Sequence, residues 1–221
     1  VIGVVVALET ERRWIPRDPS LLVERCGMGA ARAEAAARNL LSAGADALVS
    51  WGSAGGLEPS LEPGTVVIPD RVLVEPGKAL TTDNEWSARL RAAAARKVRV
   101  VDSPLLHIEH AIANPADKGR LFVESSAAAA DMESCVVGRI AGEAGLPWIA
   151  VRVVLDAAGT MLPPLAMSAM RDDGRLDPVF LWRMAASPRQ WAAFLALARA
   201  NRLAGRAMMA IWATAGFTLA R

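Results

Sequence analysis

DMESCVVGRIAGEAGLPWIAVRVVLD, residues 131–156, holds a helix, its stop signal and a buried strand in one run. Met132–Ala144 reads as the helix and Gly145 as its end, with Leu146-Pro147 opening the next element. Trp148–Leu155, with VRVVL at its heart, is the continuous β-branched run of a strand covered on both faces. Asp156 closes it. A helix returning into a doubly covered strand is the unit of an α/β fold.

The same signals recur on either side. Val1–Leu8, Leu21–Cys26, Ala47–Trp51 and Val98–Val101 read as strands. Thr65–Val74 reads as another, with Pro69 marking a bulge or an edge. Helices are expected over Ala30–Ala43, which Gly44 terminates, over Glu85–Lys97 with Asp83 or Asn84 as cap, and over Ala116–Glu124. Two more fill Pro178–Ala186 and Arg189–Ala213, divided at Ser187-Pro188. Strands alternating with helices predict a three-layer α/β/α sandwich around a central mixed sheet. The chain reads as one domain over 1–221, with a core at 1–158 and a basic, Trp- and Met-rich helical segment at 159–221.

The composition sets limits. With 53% apolar residues in 221, the chain supports a sizeable core, and a net charge of +2 demands no nucleic-acid partner. Cys26 and Cys135 form no CxxC pair, so neither a disulfide framework nor a metal site is expected, and a reducing, cytoplasmic setting fits. Val1–Leu8 is too short and uncharged for a signal peptide, and Ala207–Ala220 falls short of the roughly 20 residues of a membrane span. From Pro178 onward there are six arginines and no Asp, Glu or Lys, which leaves residues 1–177 at −4.

Five segments carry chemistry. In ALETERR (7–13) a strand runs into a charged turn, which puts Glu11 where open α/β sheets bind ligands; a helix N-terminus favouring acids explains it equally well. CGMG (26–29) is a glycine turn before an alanine helix, able to hold an anion or a polar sugar edge, or to be simply a tight turn. WGSAGGL (51–57), followed by PGTVVIP (63–69), lets backbone approach a ligand closely and offers the Ser53 hydroxyl. Asp131 in DMES reads singly as a helix cap, and Asp156 as a turn residue.

In order and spacing, ALETE, CGMGAARA, GSAGGLEPSLEPGTVVIPD and DMES…GLPWIAVRVVLDAA resemble the nucleoside phosphorylase and nucleosidase superfamily over residues 1–158, in its methylthioadenosine/adenosylhomocysteine nucleosidase-like branch. The run GTMLPPLAMSAMRDDGRLDP with SPRQW and the long helix after it resembles the hopanoid-associated members. The resemblance implies a phosphorylase/hydrolase-like fold, no cofactor and no metal, and a homodimer or larger oligomer. It assigns Glu11 to the attacking water, with Ser53 beside it. Glu133 falls to the ribose 2′-hydroxyl, Met132 to the sugar face and Asp156 to N7 of the departing purine. Arg152 occupies a position where the family carries an arginine, and Gly27, Gly29 and Gly55 belong to the glycine turns of the site. The family's base-stacking aromatic falls within Glu109–Ala113 here, which makes Ile112 the wall of the base site. His107 and His110 read as surface or core residues. Ala127–Ala130 stands where Gly-Ala is frequent, and Leu155 where Ser is.

The resemblance implies adenine release from an adenosine-containing substrate, adenosylhopane giving ribosylhopane in hopanoid biosynthesis. Trp51, ahead of Gly52, stands where the phosphorylases place an arginine, which favours water over phosphate as nucleophile. The alternatives are a methylthioadenosine/adenosylhomocysteine nucleosidase, a phosphate-dependent purine nucleoside phosphorylase, or a non-catalytic nucleoside-binding or membrane-associated partner protein. Arg199, Arg202 and Arg206 share a helix face, with Leu195, Leu197, Leu203, Met208, Ile211 and Trp212 around it. That pattern suits peripheral contact with the inner face of an anionic membrane. It suits equally a helix packed on the body of the protein.

Overall fold

The computed structural model describes residues 1–215 apart from 76, 168, 170 and 172. Ten strands and eight helices alternate along it: β1 Ile2–Val6, α1 Glu9–Arg12, β2 Leu21–Arg25, α2 Ala30–Ser42, β3 Ala47–Gly56, β4 Val66–Val67, β5 Arg71–Glu75, β6 Lys78–Thr81, α3 Asn84–Ala94, β7 Val100–Val101, β8 Leu105–His107, α4 Pro115–Ser125, β9 Ala129–Asp131, α5 Ser134–Glu143, β10 Trp148–Asp156, α6 Pro164–Met167, α7 Pro178–Ala185 and α8 Trp191–Ala215. The expected three-layer sandwich around a mixed sheet is the fold.

β3 is the pivot of the sheet. It lies parallel to β1 on one side and to β10 on the other, and β1 continues to β2. Beyond β10 come β4 and β7. The last residues of β3, Gly55 and Gly56, also pair antiparallel with β9, which leads on to β8, β5 and β6. The C-terminal ends of β3 and β10 therefore lie where the two halves of the sheet meet.

Side-chain alternation sorts the core into two faces. Val4, Val6, Val49, Trp51, Val151 and Val153 pack with Trp86 and Leu90 of α3 and Ala204, Met208 and Ile211 of α8. Val5, Leu48, Ala150 and Val154 pack with Ala33, Ala37 and Leu40 of α2 and Val137 and Ile140 of α5. Gly138 is needed in α5 because a β-carbon there would stand 2.4 Å from the Trp148 ring.

Several elements depart from the sequence expectation. Pro69 divides 65–74 into two strands, and β6, β8 and β9 appear where none was expected. The glycines of GSAGG lie within β3 and not in a turn after it, because strand pairing on both sides holds their backbone extended. For α8 the structure decides between the two readings. Met208 and Ile211 are fully buried, and Trp212 packs against Trp51 with ring centroids 5.0 Å apart. These residues complete one layer of the sandwich together with α3, the second of the two readings of this helix, while Leu195 and Leu203 stay exposed.

Candidate active site

Glu11 is 2% exposed, in the short α1 that follows β1. Its Oε2 accepts from the N–H groups of Ala7 (3.1 Å) and Leu8 (2.9 Å), as an acid in a first helical turn does. Its Oε1 crosses to β3, where it accepts from Ser53 N–H (2.8 Å) and Ser53 Oγ (2.7 Å). One oxygen serves the helix start and the other the strand edge. Gly52 lies directly beneath: a β-carbon there would be 2.8 Å from Glu11 Oε1 and 2.8 Å from Arg152 Nη1. Only glycine admits both side chains.

Arg152 projects from β10 and is fully buried against α5. Its Nε donates to Asp131 Oδ2 (2.6 Å) and its Nη2 to Ser50 Oγ (2.8 Å), and Nη2 lies 3.8 Å from Glu133 Oε2. Asp131 does not act as a plain helix cap. Its Oδ2 accepts from Ser134 N–H and Oγ at the start of α5, and holds Arg152 as well. Burial works against the charge on Arg152, and Asp131, Glu133 and Glu11 together outweigh it, raising its pKa.

Glu133, ahead of α5, reaches the glycine turn after β2, where Gly29 donates its N–H to Oε1 (3.0 Å). Gly29 has φ +99°, a conformation that β-carbon residues rarely adopt. Burial pushes the Glu133 carboxyl up to about 7; Arg152 and the Gly29 N–H oppose the shift, and Asp131 and Glu11 add to it. Cys26, half-buried in the same place, has its thiol pushed up to about 12, first by burial and then by Glu133 and Glu11. The pocket is thus electronegative. Gly27 lies in the same turn, and Met132 is half-buried between Asp131 and Glu133.

Asp156 ends β10 beside Gly55, where an added β-carbon would lie 3.7 Å from Oδ2 and 3.8 Å from Oδ1. Gly52 and Gly55 are three residues apart on β3, so the Glu11 end and the Asp156 end are separated by about 10 Å of extended chain. Sequence reasoning missed the partner of Asp156. Lys118, in the first turn of α4, forms a buried ion pair with Oδ2. A lone lysine on an amphipathic helix reads as surface, and only its place in the first turn, where the helix dipole favours acids, is out of pattern. Burial raises the Asp156 pKa and Lys118 works against that rise.

Ile112 is half-buried and packs with Leu57, Ala127 and Ala130 beside α4. The neighbouring Ala113 carbonyl accepts from Leu162 N–H (2.9 Å), which ties this wall to the segment after Asp156. His110 is exposed, and His107 is half-buried with no partner for Nδ1 among the described residues. Glu11, Ser53, Arg152, Glu133, Gly27 and Gly29 thus converge at one end, and Asp156 with Gly55 at the other. A shallow cleft of about 370 Å³ between Glu62, Lys97, Arg99 and Arg206 contains none of them. Its cations are exposed surface side chains, whereas the carboxylates above are buried and held by partners, which makes the carboxylates the candidate site.

An α/β/α sandwich with buried carboxylates at the C-terminal ends of its central strands holds them where open α/β sheets bind ligands. A family model described as the Phosphorylase superfamily matches residues 17–166, about two thirds of the chain, and the protein belongs to that superfamily. Solved structures of the same fold include S-adenosylhomocysteine nucleosidase from Streptococcus pyogenes in complex with 5-methylthiotubericidin (TM-score 0.69, 16% identity, 99% of this chain and 97% of that one). Futalosine hydrolase of Helicobacter pylori is similar at TM-score 0.68 and 14% identity, over 95% and 96% of the two chains. 5′-Methylthioadenosine/S-adenosylhomocysteine nucleosidase from Neisseria meningitidis, in complex with methylthio-immucillin-A, gives 0.66 and 17%, over 94% and 97%. At these identities the likeness is one of fold.

Proposed function

We propose that the protein is a nucleosidase that hydrolyses the N-glycosidic bond of an adenosine-containing substrate and releases adenine. The observation that carries this reading is the arrangement along β3, with Glu11 and Glu133 at one end and Asp156 roughly 10 Å away at the other. That span suits a nucleoside laid along the sheet edge with its ribose over Glu133 and Met132 and its base towards Asp156 and Ile112. Breaking the bond builds positive charge on the sugar and negative charge on the purine. Glu11 and Ser53 orient water at C1′, and the water proton passes to Glu11 as its oxygen bonds to carbon. The electron pair of the C1′–N9 bond goes to the purine, which takes a proton at N7 from Asp156. Arg152 keeps Asp131 and Glu133 in place.

Water is the better nucleophile on electrostatic grounds. Phosphate would have to enter beside Glu11 and Glu133, where the buried arginine is already committed to Asp131. The Trp51 side chain faces the opposite side of the sheet, against Trp212.

For the 5′ substituent we favour a hopane, as the resemblance of the C-terminal segment to hopanoid-associated proteins implies. The exposed apolar side chains Val179, Trp182, Trp191 and Leu195 support a lipid-bearing substrate. They follow a segment that reaches α1, where Gly174 O accepts from Glu9 N–H (3.0 Å).

The deciding experiment is chromatographic detection of adenine from adenosine, methylthioadenosine and adenosylhopane, each with and without phosphate. The expected result is release without phosphate, fastest from adenosylhopane and lost in Glu133→Gln. Strict phosphate dependence, with ribose 1-phosphate chemistry in the product, moves the protein to the phosphorylases. Fastest release from methylthioadenosine removes the hopanoid substrate, and no release from any of the three overturns the enzymatic reading.

A further inference from the structure

Lys118 is 1% exposed, among the most deeply buried charged side chains described. Each of its three ammonium hydrogens has an acceptor: Asp156 Oδ2, Ala157 O (3.0 Å) and Thr160 O (3.4 Å). The position is a costly one. Burying an ammonium costs several kcal/mol even when it is paired, and a first-turn position sets it against the helix dipole. A pair of apolar side chains would hold α4 against β10 at lower cost. Asp117, its neighbour in sequence, turns outward to Asn114 and Arg120, and β3 offers Asp156 only the backbone of Gly55 and Gly56. Among the described residues, Lys118 is the charged group that acts on Asp156.

Building on the nucleosidase reading above, we propose that Lys118 is a positioning residue that acts through Asp156 and supplies the proton the departing purine receives. A carboxylate pinned by a cation has no proton of its own to give. The pair as a unit has one, because its net charge is zero both as ammonium with carboxylate and as amine with carboxylic acid. When the glycosidic bond breaks, its electron pair stays on the purine. N7 takes the proton from Asp156, and the Lys118 ammonium has given its own proton to Asp156. Lys118 is left as a neutral amine. The proton that Glu11 took from water returns through solvent and restores the pair, so the cycle consumes one water and no net proton.

The proposal fixes the sign of a pH effect. A lone buried carboxylic acid stops donating once the pH passes its own pKa, and its rate then falls tenfold per unit. The pair, neutral overall in both of its forms, still has a proton to pass where a lone acid has lost its own. Adenine release should therefore be measured from pH 5 to 10 for wild type, Lys118→Met and Lys118→Arg, with melting temperatures alongside. Wild type should hold its rate to higher pH than Lys118→Met. Lys118→Met should have its alkaline limb at lower pH than wild type and fall about tenfold per pH unit beyond it. Lys118→Arg keeps the cation and cannot give up its proton, so it should be slow across the whole range. An alkaline limb in Lys118→Met that coincides with wild type, or lies at higher pH, overturns the proposal even if the melting temperature drops. If Lys118→Met does not fold, a Lys118→Arg variant that releases adenine at the wild-type rate overturns it. No release by wild type from any nucleoside removes the functional reading instead, and this inference with it.

Discussion

Gly29 and Glu133, 104 positions apart, are joined by a 3.0 Å hydrogen bond from backbone N–H to Oε1. The bond links the glycine turn after β2 to the start of α5, and it does so inside a pocket that also holds Glu11 and Asp131. Burial makes the charged form of Glu133 expensive, and one N–H and one distant arginine do not cancel that cost.

The consequence for stability has a definite sign. The Glu133 carboxyl is raised from 4.5 to about 7 in the folded protein. Its contribution is fully present below the unfolded value and is lost as pH rises through 7, where the native state must give up a proton that the unfolded chain has already released. At 1.36 kcal/mol per pH unit the loss is of order 3 kcal/mol. Glu133→Gln removes the charge and keeps the acceptor for Gly29. Its melting temperature relative to wild type should rise between pH 5 and pH 8, while adenine release disappears. A constant difference across that range would contradict the account.

The ion pair of Arg152 and Asp131 makes a separate prediction, because both partners are buried and Asp131 Oδ2 takes the arginine, while Asp131 Oδ1 has no hydrogen-bond partner among the described residues. Arg152→Met leaves Asp131 charged in the interior and should cost about 3–5 kcal/mol. Adding Asp131→Asn removes that charge while keeping an acceptor for Ser134, so the double variant should be more stable than Arg152→Met alone. Urea denaturation of both variants and of wild type measures this. A cost below about 1 kcal/mol for Arg152→Met would show that the pair is not buried in solution.

Much of this architecture is written in local sequence, and the parts that are not share a physical cause. The apolar strands β1 and β10 and the stop at Gly145 are visible because burial on both faces selects β-branched residues. β9 is not: Ala129 and Ala130 have little strand propensity, and they are extended because β3 and β8 pair with them on either side. The glycines of β3 read as a turn for the same reason. Gly52 is glycine because Glu11 and Arg152 occupy the space of its side chain, a fact of tertiary packing. Glu11, Glu133 and Asp156 are legible through the motifs that surround them in the chain. Lys118 has no such motif, and its importance appears only once α4 is laid against the end of β10.

The C-terminal helices carry the last prediction. Removing α8 is no test of membrane contact, because Ala204, Met208 and Ile211 are core residues and the truncated chain would lose half of the layer that α8 forms with α3. The side chains to change are those that leave the core intact. Trp182 is 81% exposed, with Val179 one helical turn before it on α7, and Trp191 and Leu195 are exposed at the start of α8. Arg183, Arg189 and Arg199 are exposed nearby in sequence, and no acidic residue follows Asp177. Tryptophan beside arginine is the chemistry of an anionic lipid interface. The protein should float with vesicles containing anionic lipid and much less with neutral ones, and high salt should release it. Trp182→Ala with Trp191→Ala should abolish flotation, leave the melting temperature within about 2 °C, and slow release from adenosylhopane more than from adenosine. Wild type staying at the bottom of the gradient with both kinds of vesicle would rule out the membrane role, and equal slowing on both substrates would separate the patch from substrate delivery.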